Sequence, residues 1–291
     1  MSLSVRRGLH NTTYTIAVLV SVFNAPTLIS KAIANDGISV KTTVPGIAIA
    51  RLSKLPKPPE PISSATACNV LRELKTQGGS EATSLGWGVT GEAKLGQYDA
   101  VSFAGRLDQV AGSACEVAQG NVALFDGTEL LAILYADKQS KLTIGRITAV
   151  KDRVRILDGG LVAMPVGEIR FRGDQTIEVD PLAPEEGVCD DKGLVPNVYG
   201  KPIAQARKQI MARGWVPYQS PPSSTRDPVG DDIRKTGIVE ATDCSATDFA
   251  YCRNYYRQGH MELGVTTFGD DDPKVSDYAA TCDQSSWHES N

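Results

Sequence analysis

The chain has 291 residues, 22% of them charged and 41% hydrophobic, with a formal charge of −4. That length suits one large domain or two ordinary ones, and the apolar fraction is ample for a packed core. A mildly acidic chain without a basic stripe is a poor partner for nucleic acid, whose binding rests on neutralising phosphates.

The first thirty-four residues carry Arg6, Arg7 and Lys31 and no acid. An apolar run from Tyr14 to Phe23 continues through Leu28 and Ile29, and Ala32-Ile33-Ala34 puts small residues where a signal peptidase cuts. Residues 1–34 therefore read as a cleaved secretory signal. Asn24 and Pro26 break the run short of the ~20 residues that a bilayer span needs, so no stable membrane insertion is expected after cleavage. Arg6-Arg7 fits the twin-arginine route, but Val5 stands where that signal prefers a hydroxyl, which favours the general route. Cleavage leaves 27 basic and 34 acidic residues, a net charge of −7. No Cys follows the cleavage site closely, so no lipoprotein anchor is expected.

Residues 35–63 read as an N-terminal arm and linker. Asp36 to Arg51 has apolar residues at Ile38, Val40, Val44, Ile47 and Ile49, as in a strand or an ordered tail. Leu52 to Ser63 contains Pro56, Pro58, Pro59 and Pro61, which hold the backbone extended and remove amide donors.

Residues 64–180 read as a β-rich domain with a packed helix. The helix is predicted over Thr66 to Thr76, with Val70, Leu71 and Leu74 on one face and Gly78-Gly79 as its stop. From Gly120 to Val179, apolar runs alternate with turn residues: Val122 to Phe125, Leu130 to Tyr135, Leu142 to Val150, Val154 to Leu157, Leu161 to Val166, Ile169 to Phe171 and Ile177 to Val179. Asp126-Gly127 and Asp158-Gly159 have the composition of two-residue hairpin turns. Alternation in Arg153-Val154-Arg155-Ile156 and Ile169-Arg170-Phe171-Arg172 places one face in a core and the other in water. An antiparallel meander follows, as a barrel or a sandwich.

Pro181 to Gly187, with two prolines and two glutamates, marks a boundary, and residues 188–291 read as a second, smaller domain. Pro202 suits a first helical position, Ile203, Ala206 and Ile210 recur at helical spacing, and Gly214 ends the helix. Trp215 to Tyr218, Ile238-Val239 and Leu263 to Phe268 are strand candidates, and Pro221 to Ser224 is a loop. The whole chain is thus expected to be α+β.

Six cysteines, Cys68, Cys115, Cys189, Cys244, Cys252 and Cys282, lie beyond the signal. An even number in an exported chain reads as a disulfide framework, although six allow many connectivities. The boundary separates two from four, which makes Cys68 with Cys115 the natural first bridge. Cys244 and Cys252 bracket a seven-residue loop, leaving Cys189 to meet Cys282. Closing that long loop would remove unfolded-state entropy worth about 4 to 5 kcal/mol. No C-x-x-C spacing or adjacent His supports zinc, so neither a metal nor a cofactor is expected.

Val195-Pro196-Asn197-Val198, Gly200, Ala206, Ile210 and Gly214-Trp215 resemble the opening of PASTA domains, modules of the bacterial cell exterior in which a helix packs on a three-stranded sheet. The likeness covers about twenty residues, without that family's tandem repeats and with four cysteines in the domain. It implies a periplasmic or secreted, disulfide-bonded PASTA-like binding or structural module with a cell-wall link. No binding residue carries over, because folding accounts for every matched position.

Gly86-Trp87-Gly88-Val89-Thr90-Gly91 fits G-x-G-x-x-G but follows no buried strand, so it reads as a glycine-rich loop around Trp87 rather than a dinucleotide site. His260 and His288 are the only histidines after the signal, which leaves little for nucleophilic catalysis. Glu129, Asp137, Glu168 and Glu178 fall at predicted turns or on exposed strand faces, and Asp270-Asp271-Asp272 with Asp277 lacks the EF-hand pattern. The candidate binding surface is Tyr251, Arg253, Tyr255, Tyr256, Arg257 and His260, aromatic and basic residues beside the small disulfide loop. Such side chains give contact area and directed hydrogen bonds at modest entropic cost. The expected function is that of an exported, non-enzymatic binding or envelope-associated module, with peptidoglycan or an envelope protein as partner. The alternatives are a secreted inhibitor of a lysozyme or protease, and a hydrolase whose carboxylates are gathered by the fold.

Overall fold

The computed structural model of the protein describes residues 31–34, 38–63, 66, 68, 70–111, 114–172, 175–221, 227–246 and 249–282. Residues 1–30 of the expected signal, most of the Pro221 to Ser224 loop and His288 lie outside them. The first unit runs through β1 (Lys31–Ala34), β2 (Ser39–Thr42), β3 (Ile47–Ala50), α1 (Gln77–Leu85), β4 (Gly88–Leu95), β5 (Tyr98–Ala111), β6 (Ala114–Asp126), β7 (Glu129–Ala136), β8 (Arg146–Val150), β9 (Arg153–Leu157), β10 (Pro165–Arg172) and β11 (Thr176–Asp180). It forms a six-stranded sheet in the order β1-β2-β11-β10-β9-β8, in which the edge strand β1 consists of the last four residues of the segment read as a cleaved signal, and a five-stranded sheet in the order β3-β7-β6-β5-β4. Every pairing is antiparallel except that of β2 with β11.

The two sheets share one core. Val154, Ile156, Ile169 and Ile177 from the first sheet join Val122, Leu124 and Leu134 from the second, all fully buried. Branched aliphatic side chains at every second position suit a pleated surface with one buried face. At one margin the buried Ser102 hydroxyl accepts from Ile147 N at 3.2 Å and from Thr90 Oγ1 at 2.9 Å, which ties β8 to the β4–β5 hairpin.

The second sheet is covered on its other face as well. Trp87, Phe103, Ala123, Phe125 and Ile133 pack there against Ala82 of α1 and Leu55 of the proline-rich arm. Trp87 Nε1 donates to the Pro56 carbonyl at 2.6 Å, and Ile62 N donates to Gly86 O, so the arm is laid along the sheet rather than left as a tether.

The expected helix over Thr66 to Thr76 is not formed. The described residues of that stretch are irregular, held by the Cys68–Cys115 bridge and by Leu71 N donating to Val89 O. The helix begins where that prediction ended. Thr76 caps it by accepting from Gly79 N at 2.9 Å, and the Glu92 carboxylate accepts from Lys75 N, Thr76 N and the Thr76 hydroxyl. Gly78 and Gly79 are its first turn instead of its stop, because a β-carbon at Gly78 would lie 2.5 Å from the Phe125 ring. Gly86, at φ +102°, supplies the left-handed C-cap. Gly86 to Gly91 is therefore a helix end running into a strand, the reverse of the strand-to-helix order of a dinucleotide site. Asp126-Gly127 does mark a hairpin, whose two turn residues are Gly127 and Thr128, whereas Asp158-Gly159 opens a longer connection ending at Pro165.

The second unit contains β12 (Glu185–Val188), β13 (Gly193–Pro196), α2 (Ile203–Met211), β14 (Val216–Pro217), α3 (Pro228–Lys235), β15 (Ala241–Thr242), β16 (Cys252–Gln258), β17 (Met261–Phe268) and β18 (Lys274–Thr281). Glu185 to Gly187, read as the end of a connector, pairs with β13. Ala206 and Ile210 of α2 are buried with Trp215, Tyr256, Leu263, Val265 and Val275, which closes a small core over the sheet β14-β16-β17-β18. A short strand falls at Ala241–Thr242 instead of Ile238-Val239. The bridges are Cys68–Cys115, Cys189–Cys282 and Cys244–Cys252, the pairing read from the sequence.

The α+β expectation is corrected by these elements. Strands make up 47% and helices 11%, with three helices among the described residues, so the fold is β-rich. The difference comes from β4 and β5, whose small and polar residues hide a long hairpin, and from the second unit, where strands outweigh its two short helices.

Replacing Gly78 by Ala should destabilise the protein by about 1 to 3 kcal/mol in urea titration through overpacking against Phe125. Ser80→Ala on the exposed side of α1 should change stability by less than about 0.5 kcal/mol. A stabilising Gly78→Ala, as helix propensity alone would give, contradicts the close approach.

Candidate functional site

The cluster expected around Cys252 divides by strand parity. In β16, Asn254 and Tyr256 point into the core, while Arg253, Tyr255 and Arg257 point outward. Tyr256 is fully buried, and its hydroxyl meets the equally buried Glu240 at 3.3 Å. Burial and the neighbouring Glu240 raise its phenol pKa, so it serves the core and not a surface. His260 sits exposed in the β16–β17 turn. Tyr251 lies one position before the strand and borders a cleft between the two units.

The outward residues form a platform. The Arg257 guanidinium lies 3.6 Å from the centre of the Tyr218 ring, and Tyr218 and Tyr255 are 6.2 Å apart. Tyr255 lies over Gly264 on the neighbouring strand, where a β-carbon would come within 3.2 Å of its ring. A guanidinium lying over a ring keeps its N–H donors in its own plane above the ring while the cation–π contact fixes the side chain. Glu262, opposite Arg257 in register, lies 3.9 Å from it. Arg253, Thr266 and Asp277 are cross-strand neighbours at the far end of this face. No residue of the face belongs to a buried hydrophobic cluster.

The arrangement of this face relative to the first unit is fixed by a buried ionic network. Glu168, read from the sequence as exposed, is only 1% accessible. Its carboxylate meets Arg155 Nη2 at 2.8 Å, Arg153 Nε at 2.9 Å and Arg170 Nη2 at 2.7 Å. Arg153 and Arg155 also reach Glu186 of β12, at 2.8 and 2.9 Å. The face of β9 and β10 expected to meet water is therefore the face on which the second unit docks. Arg155 Nη1 donates to the Tyr199 hydroxyl at 3.0 Å, and Tyr199 packs on Tyr278 at 4.5 Å. Burial works against the charge on Glu168, but the hydrogen bonds from Arg155 and Arg153 outweigh it and hold its carboxyl below the ordinary range. Asp277, open to the cleft yet hemmed in by protein, is pushed the other way by desolvation.

Of the other acids singled out, Glu178 is paired with Lys41 and Arg172, Asp137 caps its own turn, and Glu129 and Asp270 to Asp272 are exposed. Sequence reasoning does not reach Tyr218 and Tyr199 as site residues, and it weighs Asp277 only as a cation ligand with Asp270 to Asp272. Period-two alternation through Tyr251, Arg253, Tyr255 and Arg257 was the signal that separates Tyr256 from its neighbours.

The chain matches no protein-family model, no curated protein and no solved structure. Its three disulfides are consistent with an exported protein. No helix among the described residues is long and apolar enough to cross a membrane.

A carboxyl whose folded pKa is depressed contributes stability that is present above its unfolded value and lost as pH falls through the folded one. For Glu168 that loss lies below its ordinary value of 4.5. The melting temperature should thus hold from neutral pH to about 5 and fall steeply below. Glu168→Gln should cost about 3 to 5 kcal/mol at pH 7 and flatten the acid limb. An unchanged melting curve for Glu168→Gln at both pH values contradicts the network.

Proposed function

We propose that the protein is an exported, non-enzymatic binding module of the cell envelope, and that it holds its ligand on the outer face of the C-terminal sheet. The observation that carries this reading is the preassembled platform of Tyr218, Tyr255 and Arg257, with the cation already stacked at 3.6 Å. Side chains fixed before binding lose little entropy on contact, and exposed aromatic faces bordered by arginine are the usual carriers of binding energy. The ligand class this favours is a wall glycan or muropeptide: sugar C–H faces stack on tyrosine rings, and Arg257, Arg253 and Glu262 supply donors and acceptors at the rim. The likeness of Val195 to Trp215 to the opening of PASTA domains supports the same compartment and polymer. The disulfides support export.

Sedimentation of the oxidised protein with isolated peptidoglycan tests the proposal. Saturable co-sedimentation is expected, weakened about tenfold by Tyr255→Ala and by Arg257→Ala. His260→Ala, on the turn beyond the platform, should leave it unchanged. Absence of saturable binding, or equal binding by the Tyr255→Ala protein, contradicts the proposal.

A further inference from the structure

A cleft between the two units is used by neither the platform nor the core. It has two adjoining lobes of about 460 and about 560 Å³, which meet at Arg146, Leu161 and Ala163. Each lies within the roughly 300–1,000 Å³ range of ligand sites. In the first lobe, Leu71, Leu161 and Phe249 remain 39%, 37% and 36% exposed, against a wall containing the Cys68–Cys115 bridge. Single exposed apolar side chains need no explanation, but three gathered from three distant segments on one concave surface mark an interaction site. The second lobe offers Thr148, Tyr199, Tyr251 and Asp277. Arg146, paired through its backbone in β8, stands where the lobes meet with an exposed side chain that has no hydrogen-bond or ionic partner among the described residues.

We infer that this cleft binds a short extended peptide segment in which a carboxylate lies next to a bulky apolar side chain. The apolar group enters the Leu71, Leu161 and Phe249 lobe, and the carboxylate takes the fork of Arg146, the geometry in which guanidinium and carboxylate form paired charge-assisted hydrogen bonds. Continuation of the chain across the second lobe brings backbone N–H groups to the Asp277 carboxylate and a backbone carbonyl to the Thr148 hydroxyl. A plain hydrocarbon tail would leave those polar groups dehydrated and unmatched, which disfavours a lipid. The lobes draw their walls from both units, which the Glu168–Arg155–Glu186 network joins. The cleft adjoins the far end of the wall-binding face at Asp277 but uses none of Tyr218, Tyr255 and Arg257, so it does not depend on that platform.

The test is fluorescence anisotropy of the oxidised protein with a fluorescein-labelled library of acetylated tetrapeptides in which the two central positions are fully varied. The expected result is saturable binding concentrated in peptides pairing an acid with an aliphatic or aromatic neighbour. Amide counterparts of the acids should bind about tenfold more weakly. Arg146→Gln should abolish that preference for acid over amide, and Leu161→Asp should weaken every peptide about tenfold. Both sites are exposed, and unchanged melting temperatures in both variants confirm that the fold survives. No saturable binder in the library, binders without an acid, or an acid preference that persists in Arg146→Gln overturns the inference. Displacement of the bound peptide by decanoate more readily than by unlabelled peptide also overturns it, in favour of a hydrocarbon ligand.

Discussion

The Glu168 carboxylate, enclosed on the outer face of β9 and β10, organises the molecule. A carboxylate at 1% accessibility is tolerable only if its charge is met on several sides, and Arg153, Arg155 and Arg170 meet it. Three guanidinium groups around one carboxylate leave positive charge in excess, and Glu186 from the second unit answers it. The two units are thereby matched by charge as well as by shape. Such networks contribute little net stability compared with an apolar contact of equal size, because desolvation offsets the Coulomb attraction. What they impose is geometry: any other docking of β12 would strand a buried charge.

The remaining features of the C-terminal unit follow from that docking. Tyr199 is held by Arg155 on one side and Tyr278 on the other, so the edge of β18 is brought against the sandwich, with Asp277 facing the cleft. The Cys189–Cys282 bridge ties the start of this unit to its end. Its small core of Trp215, Tyr256, Leu263 and Val265 uses only one face of the sheet, which leaves the Tyr218–Tyr255–Arg257 face outside the core.

Much of the architecture could be read from the chain. The six cysteines separated by the Pro181 to Gly187 boundary gave the pairing that the structure contains, and alternation in β9 and β10 gave strands with one buried face. What alternation cannot tell is whether the polar face meets water or another part of the protein. Arg153, Arg155 and Glu168 look like solvent-facing residues until their partners, some thirty residues away in Glu186 and farther in Tyr199, are in place. The misplaced helix has a similar origin. Gly78-Gly79 carries the signature of a stop, yet its cause is the nearness of the Phe125 ring, a contact across the fold that local pattern does not contain. The binding cluster was half legible, since parity assigns Tyr256 to the core, whereas Tyr218 joins the platform only through the pairing of β14 with β16.

Scanning calorimetry of the oxidised protein at neutral pH, with and without Glu186→Gln, is the most direct measure of whether the network joins the two units. A single cooperative transition in the native chain that separates into two in the variant is the result predicted here. Two independent transitions in the native chain, or one unchanged transition in the variant, would show that the units are not coupled through Glu168, Arg153, Arg155 and Glu186.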